Sequence, residues 1–285
     1  MHRRLFLHHL GAGLAMTSLP NGHVLASEDR PLRIGMSPVF LHDSHGLMGE
    51  WKAYLSKRLK RQVIFVLRDS YGETMDLIKQ HRLDAAWLCD YPYILMKAYV
   101  IPLATPLYGG RPYYRSYLIV SSQRKGVHSI ADLEGKVFAY ADPYSNTSYL
   151  APRHALKQLG NNPDTFFRKT FFTWSHRKAI EAVAKHLADG AAVDSYVWES
   201  LARVEPEFTA RTRIVSRSEE FGFPPFVVDR ELPGGTARDL RHVLMGMERD
   251  DEGRAILDKL NLTSFSQARP EFYESVEDMV RQAGG

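Results

Sequence analysis

Three hydroxyls and an amide crowd the segment Ala141-Asp142-Pro143-Tyr144-Ser145-Asn146-Thr147-Ser148-Tyr149-Leu150, where a strand-like run turns into a helix-like one. Unpaired backbone N–H groups and the positive end of the helix dipole at such a start attract anions, and hydroxyl side chains add donors suited to a tetrahedral oxyanion. The same residue types also cap helices without binding anything, so the segment alone leaves both readings open. The chain's single cysteine, Cys89, lies in Ala86-Trp87-Leu88-Cys89-Asp90-Tyr91-Pro92-Tyr93. A lone cysteine is commonly a small buried hydrophobe, yet its thiolate is a good soft ligand. There is no Gly-x-Ser-x-Gly elbow, Cys-x-x-Cys pair, His-Glu-x-x-His or glycine-rich phosphate loop, which leaves a Cys89/His176 thiol hydrolase as a remote alternative. The 12 histidines are scattered, and His2, His8 and His9 fall at the extreme N-terminus. No catalytic residue, metal or cofactor is expected.

These groups need elements to position them. Leu32 to Ser37 reads as a short strand ending at Pro38, followed by helical spacing of Leu47, Trp51, Tyr54, Leu55 and Leu59. Gln62 to Leu67 reads as a strand, Thr74 to His81 as a helix, and Asp84 to Leu88 as a buried strand running into a turn at Pro92. A second series begins near Tyr117-Leu118-Ile119-Val120, with strands at Val137 to Tyr140 and Ala191 to Val193. Its helices are expected near 130–133, 150–159, 178–187 and through Trp198 to Leu201. Strands at Arg213 to Val215 and Phe226 to Val228 precede three helices, roughly 236–247, 250–260 and 270–282. The alternation predicts an α/β fold with a mostly parallel sheet. Two such units without a flexible linker imply two lobes around a cleft, with ligands at the carboxyl ends of strands.

The 285 residues carry 37 Lys+Arg against 33 Asp+Glu, with 44% apolar and 11% aromatic residues. This balance excludes a disordered chain, and the absence of any long run of like charge argues against a nucleic-acid partner. Residues 1–26 read as an export signal: Arg3-Arg4-Leu5-Phe6-Leu7 resembles the twin-arginine type, and Val24-Leu25-Ala26 suits a signal peptidase. The apolar run is too short and interrupted to anchor in a membrane. Ala26-Ser27 offers no cysteine for lipid attachment, so a soluble periplasmic protein without stable membrane insertion is expected.

The Asp142-Pro143-Tyr144-Ser145-Asn146-Thr147 stretch resembles the Asp-Pro-x-Ser-x-Thr/Ser segment of periplasmic binding proteins of phosphonate, phosphite and phosphate ABC transporters. Further matches are Asp69-Ser70-Tyr71, Leu83-Asp84-Ala85-Ala86-Trp87, Tyr113-Tyr114-Arg115-Ser116 and Ser175-His176, so that the resemblance spans roughly 31–285. It implies a two-lobed type II periplasmic binding protein fold with the ligand cleft between the lobes. Lobe 1 is expected from 31–118 plus 216–285, and lobe 2 from 119–215. The resemblance also implies that Ser145, Asn146, Thr147 and Ser148 hold a small oxyanion, with His176 and Tyr114 adding donors and Tyr71 lining the cleft. Where the aminoalkylphosphonate branch has acidic residues for the ligand's ammonium, this chain has Tyr196 and Phe223, although Asp194 lies two residues away. That departure favours an oxyanion without an amino group. The partner implied is an ABC permease. The segment around Cys89 also resembles arsenite-binding periplasmic sensors, which use a cleft cysteine and signal to a histidine kinase. That is the second reading.

Overall fold

The computed structural model describes residues 30–36 and 45–283; the expected export signal lies outside them. Residues from Pro31 onward form one compact unit containing two main sheets. The larger has six strands: β1 (Leu32–Met36), β2 (Val63–Leu67), β3 (Ala85–Trp87), β4 (Val100–Leu107), β12 (Phe226–Asp229) and β13 (Ser264–Gln267), in the order β13-β4-β12-β3-β1-β2. The smaller has five: β6 (Ser116–Ser121), β7 (Val137–Tyr140), β8 (Lys169–Phe172), β9 (Gly190–Asp194) and β10 (Thr212–Arg217), in the order β10-β6-β9-β7-β8. A two-stranded ribbon, β5 (Tyr113–Tyr114) with β11 (Phe221–Gly222), accompanies them.

Both sheets are mixed rather than mostly parallel. Strands β1, β2 and β3 run parallel, as do β7, β8 and β9. However, β12 and β13 return antiparallel against β3 and β4, and β6 lies antiparallel between β9 and β10. The chain leaves the larger sheet after β4 for β6 and returns from β10 to β12, a route that consecutive βαβ units cannot supply.

The larger sheet carries the helices α1 (His45–Leu59), α2 (Tyr71–Lys79) and α3 (Asp90–Leu95), and the smaller carries α4 (Ala151–Gln158), α5 (His176–Ala184), α6 (Ser195–Val204) and α7 (Pro206–Thr209). The C-terminal helices α8 (Gly234–Gly246), α9 (Asp251–Lys259) and α10 (Glu274–Ala283) pack back on the larger sheet and its helices. Where a turn is expected at Pro92, the chain forms α3. Pro92 sits in its first turn, where a missing N–H leaves no helical bond unmade. Trp51 of α1 is wholly buried, edge-on to Trp87 of β3 at 5.7 Å and Phe226 of β12 at 5.9 Å. This aromatic wedge fixes α1 to the larger sheet.

Candidate functional site

The predicted site residues sit at the carboxyl ends of strands, where the chain passes into helices. Tyr71 opens α2 after β2, Cys89 is the N-cap of α3 after β3, and Asp194 ends β9 and caps α6 through Tyr196 N–H and Val197 N–H. Ser145 caps a π-helical turn, Asn146–Leu150, that runs on into α4. His176 opens α5, capped by Ser175. Short π segments often mark functional positions. Here the wider turn has both Tyr149 N–H and Leu150 N–H donating to Ser145 O, at 3.1 and 3.0 Å.

Asp90 is the centre of this cluster. Its side chain has no exposed surface. Oδ1 accepts from Tyr114 OH at 2.7 Å, Tyr91 N–H at 2.9 Å and the Cys89 thiol at 3.2 Å, and Oδ2 accepts from Asn146 Nδ2 at 2.8 Å. The bond to Asn146 joins α3 of the larger sheet to the π-turn of the smaller. A second such bond runs from Tyr71 N–H to Asp142 Oδ2 at 3.1 Å, while Asp142 Oδ1 holds Tyr144 N–H at 2.7 Å. The rings of Tyr91 and Tyr144 meet beside it, 6.4 Å apart.

His176 anchors the hydroxyls. Asp194 N–H donates to its Nδ1 at 3.1 Å, so the neutral ring carries its proton on Nε2, which faces Ser145 Oγ at 3.4 Å. Ser145 Oγ also accepts Ser148 N–H at 3.1 Å, and its own hydrogen therefore remains free to donate outward. Ser148 Oγ accepts Ala141 N–H at 2.6 Å. Ser116 Oγ donates to Thr147 O at 2.6 Å. Three buried polar atoms of the cluster have no partner: Thr147 Oγ1, Asn146 Oδ1 and Tyr71 OH. Buried groups of this kind are almost always satisfied, so each needs an explanation.

Burial controls the charge here. It pushes Asp90 up to about 6, against the bonds from Tyr114, Cys89 and Asn146 that lower it, and pushes Asp194 up to about 7. It raises Asp142 and drives His176 down to about 3. The Cys89 thiol is raised well above its usual value by burial and by Asp90, and Tyr71 and Tyr114 are raised in the same way. The cluster thus holds three carboxyls, a neutral imidazole and a neutral thiol. No lysine or arginine pairs with Asp90, Asp142 or Asp194 among the described residues.

Nine of the ten predicted site residues therefore gather with polar groups in one enclosed cluster: Tyr71, Cys89, Tyr114, Ser145, Asn146, Thr147, Ser148, His176 and Asp194. Tyr196 is buried but turned away, its hydroxyl donating to Leu260 O at 2.5 Å and its ring packed edge-on to Phe223 at 5.1 Å. Sequence reasoning quoted Asp142 within the motif and Asp90 beside Cys89 but gave neither a role at the site. An open cavity of about 590 Å3 lined by Tyr54, Arg58, Arg241 and Arg249, among others, shares no residue with the cluster. His81, Asp229 and Glu231 could together offer three ligand atoms to a metal ion, but they too lie apart from it.

The family model described as "ABC transporter, phosphonate, periplasmic substrate-binding protein" matches residues 34–273. Among solved structures, a binding protein component of an ABC phosphonate transporter from Pseudomonas aeruginosa superposes with a TM-score of 0.82 at 19% identity, covering 88% of this chain and 86% of that one. PhnD1 from Prochlorococcus marinus, in complex with methylphosphonate, gives 0.80 at 20% identity, covering 89% and 98%. The GluR0 ligand-binding core from Nostoc punctiforme, in complex with L-glutamate, gives 0.58 at 16% identity, covering 81% and 99%. The fold is the two-lobed α/β fold of type II periplasmic binding proteins.

Proposed function

The chain belongs to the family of periplasmic substrate-binding proteins of phosphonate ABC transporters, and from that premise we propose that it captures a small oxyanion, a phosphonate, phosphite or phosphate, in the periplasm and delivers it to an ABC permease. The family is one of carriers rather than enzymes. The observation that carries the reading is the pair of unpartnered buried hydroxyls, Thr147 Oγ1 and Tyr71 OH, beside the uncommitted hydroxyl hydrogen of Ser145. A tetrahedral oxyanion at the head of the π-turn would accept from the Ser145, Thr147 and Tyr71 hydroxyls together. It would do so next to the N-terminal dipole of the helix that continues through α4. Export through a twin-arginine signal in residues 1–26 belongs to the same proposal.

The arsenite-sensor alternative, with a histidine kinase as partner, draws no support from the comparisons. Its cysteine is in the cluster, but burial and Asp90 favour the thiol over the thiolate, and the thiol donates to Asp90.

Calorimetric titration with methylphosphonate, phosphite and phosphate tests the proposal. At least one should bind, and Thr147→Ala should weaken it by roughly 10- to 150-fold, the worth of about 1.5 to 3 kcal/mol for a hydrogen bond to a charged acceptor. Wild-type affinity in both Thr147→Ala and Ser145→Ala would move the anion site elsewhere.

A further inference from the structure

The orientation of one amide constrains what the cluster accepts. Asn146 presents Nδ2 to the Asp90 carboxylate at 2.8 Å, and an ionised carboxylate can only accept. The amide is therefore fixed with Oδ1 as its remaining polar atom, buried and unpartnered. An unpartnered acceptor requires a donor, and a fully ionised oxyanion has none to give. The surroundings add to this demand. Facing Asp90 are the Cys89 thiol on its own helix, Tyr114 from β5, Tyr71 from α2, Asp194 from the β9–α6 junction and Tyr273 from the turn before α10. Asp142 faces Tyr71, and His176 faces Ser145 as a neutral ring. Every titratable member is either neutral or an acid, and none is a cation.

We propose that the site takes its oxyanion together with a proton, and that Asp90 imposes this by holding Asn146 so that Oδ1 receives the hydroxyl of a ligand bearing P–OH. The inference rests on the oxyanion-binding reading above. A dianion entering without a proton would set an acceptor against Asn146 Oδ1 and add two negative charges beside buried carboxyls with no cation among the described residues paired to them, an arrangement a desolvated site disfavours strongly. The proton has two places to reside. On the ligand, it bridges to Asn146 Oδ1. On Asp90, whose acidity burial weakens to about 6, it converts the carboxylate into a group that can donate, which releases the amide to turn Nδ2 toward the ligand. In both cases the complex holds one proton more than the separated dianion and protein. Asp90 is thus a positioning residue that acts through Asn146 to couple ligand binding to the uptake of one proton.

Calorimetric titration of the wild-type chain with methylphosphonate, and separately with phosphite, tests this at several pH values from 6 to 9. Each titration is run in two buffers of different ionisation enthalpy. Above the second ionisation of each ligand, the wild type should take up about one proton per ligand bound, and its affinity should fall about tenfold per pH unit. Asp90→Asn removes the charge and frees Asn146, so proton uptake should drop toward zero and the affinity should become nearly flat with pH. Thermal melts establish that the variant is folded, and the wild-type measurement stands without it. Tight binding at pH 9 with no proton uptake overturns the proposal, as does proton uptake that Asp90→Asn leaves unchanged. Failure of the wild type to bind any of methylphosphonate, phosphite or phosphate at any pH removes the underlying oxyanion reading instead.

Discussion

Burial holds His176 at about 3 in the fold, whereas an unfolded histidine titrates near 6.5, and this difference acts on stability with a definite sign. Between about pH 3 and 6.5 the unfolded chain binds a proton at this position and the folded chain does not, so this contribution rises with pH across that window. Asp90 and Asp194 act in the opposite sense. Their pKa values are raised to about 6 and 7 from the usual 3.8, so the folded state keeps protons that the unfolded state releases. Their contribution is fully present below about pH 4 and is lost as pH rises through 6 to 7. Replacing the imidazole therefore leaves the two carboxyls unopposed. His176→Gln should be destabilised at pH 7.5 through its lost contacts to Asp194 N–H and Ser145 Oγ. Relative to wild type it should recover by up to about 2 kcal/mol on acidification to pH 5, measured by denaturant unfolding at both pH values. A wild-type-to-variant difference that does not change with pH would show that His176 is not held neutral.

The elements were legible in the sequence wherever apolar spacing and caps agreed. Strands β1, β2, β7 and β9 and helices α1, α8 and α9 fall where periodicity puts them, to within a few residues. The starts of α2 and α5 lie earlier than the apolar pattern implies, at Tyr71 and His176. Ser70 and Ser175 cap them by accepting Glu73 N–H and Lys178 N–H, and a polar cap carries no hydrophobic signal. Strand β4 was illegible because Pro102 and Pro106 argue against an interior strand. The register with β12 shifts beside Pro102, between Phe226 and Val227, the kind of irregularity at which a strand accommodates a proline. At the site, hydroxyl-rich chemistry could be read from Ser145 to Ser148. Asp90 could not, since a carboxylate one residue from a cysteine gives no hint that it will be buried beneath a tyrosine and an asparagine more than twenty residues away. Nor does sequence show the close approach at Gly222 in β11, where an added Cβ would lie 2.3 Å from Phe272 O. Backbone is on the other side of that contact, so Gly222→Ala must push the turn at 270–273 outward. It should lower stability by roughly 1 to 3 kcal/mol, read from thermal or denaturant melts. An alanine variant as stable as wild type would mean the turn is not packed against β11 in solution.

At the scale of the molecule, Ser145, Asn146, Thr147, Ser148 and Asp90 are all 0% exposed. Separating the two sheets would open such a site, so the bonds between them bear on residence time. Among the described residues, the polar links that cross between the sheets at the cluster include Asn146 Nδ2 to Asp90 and Tyr71 N–H to Asp142. The second is the better probe, because it holds the lobes together without ordering the Asn146 amide. Asp142→Asn keeps the shape and one acceptor oxygen, enough for Tyr144 N–H at 2.7 Å, but turns an N–H2 toward Tyr71 N–H and so loses the crossing bond. The closed arrangement then loses a charge-assisted bond worth about 1.5 to 3 kcal/mol, while the open state, in which the bond is already broken, is unaffected. Dissociation of methylphosphonate should therefore quicken by roughly tenfold or more, while association, which proceeds through the open state, should change by less than about threefold. Stopped-flow tryptophan fluorescence separates the two rates. A loss of affinity carried by slower association, with dissociation unchanged, would show that the Tyr71–Asp142 bond does not hold the lobes closed over the ligand.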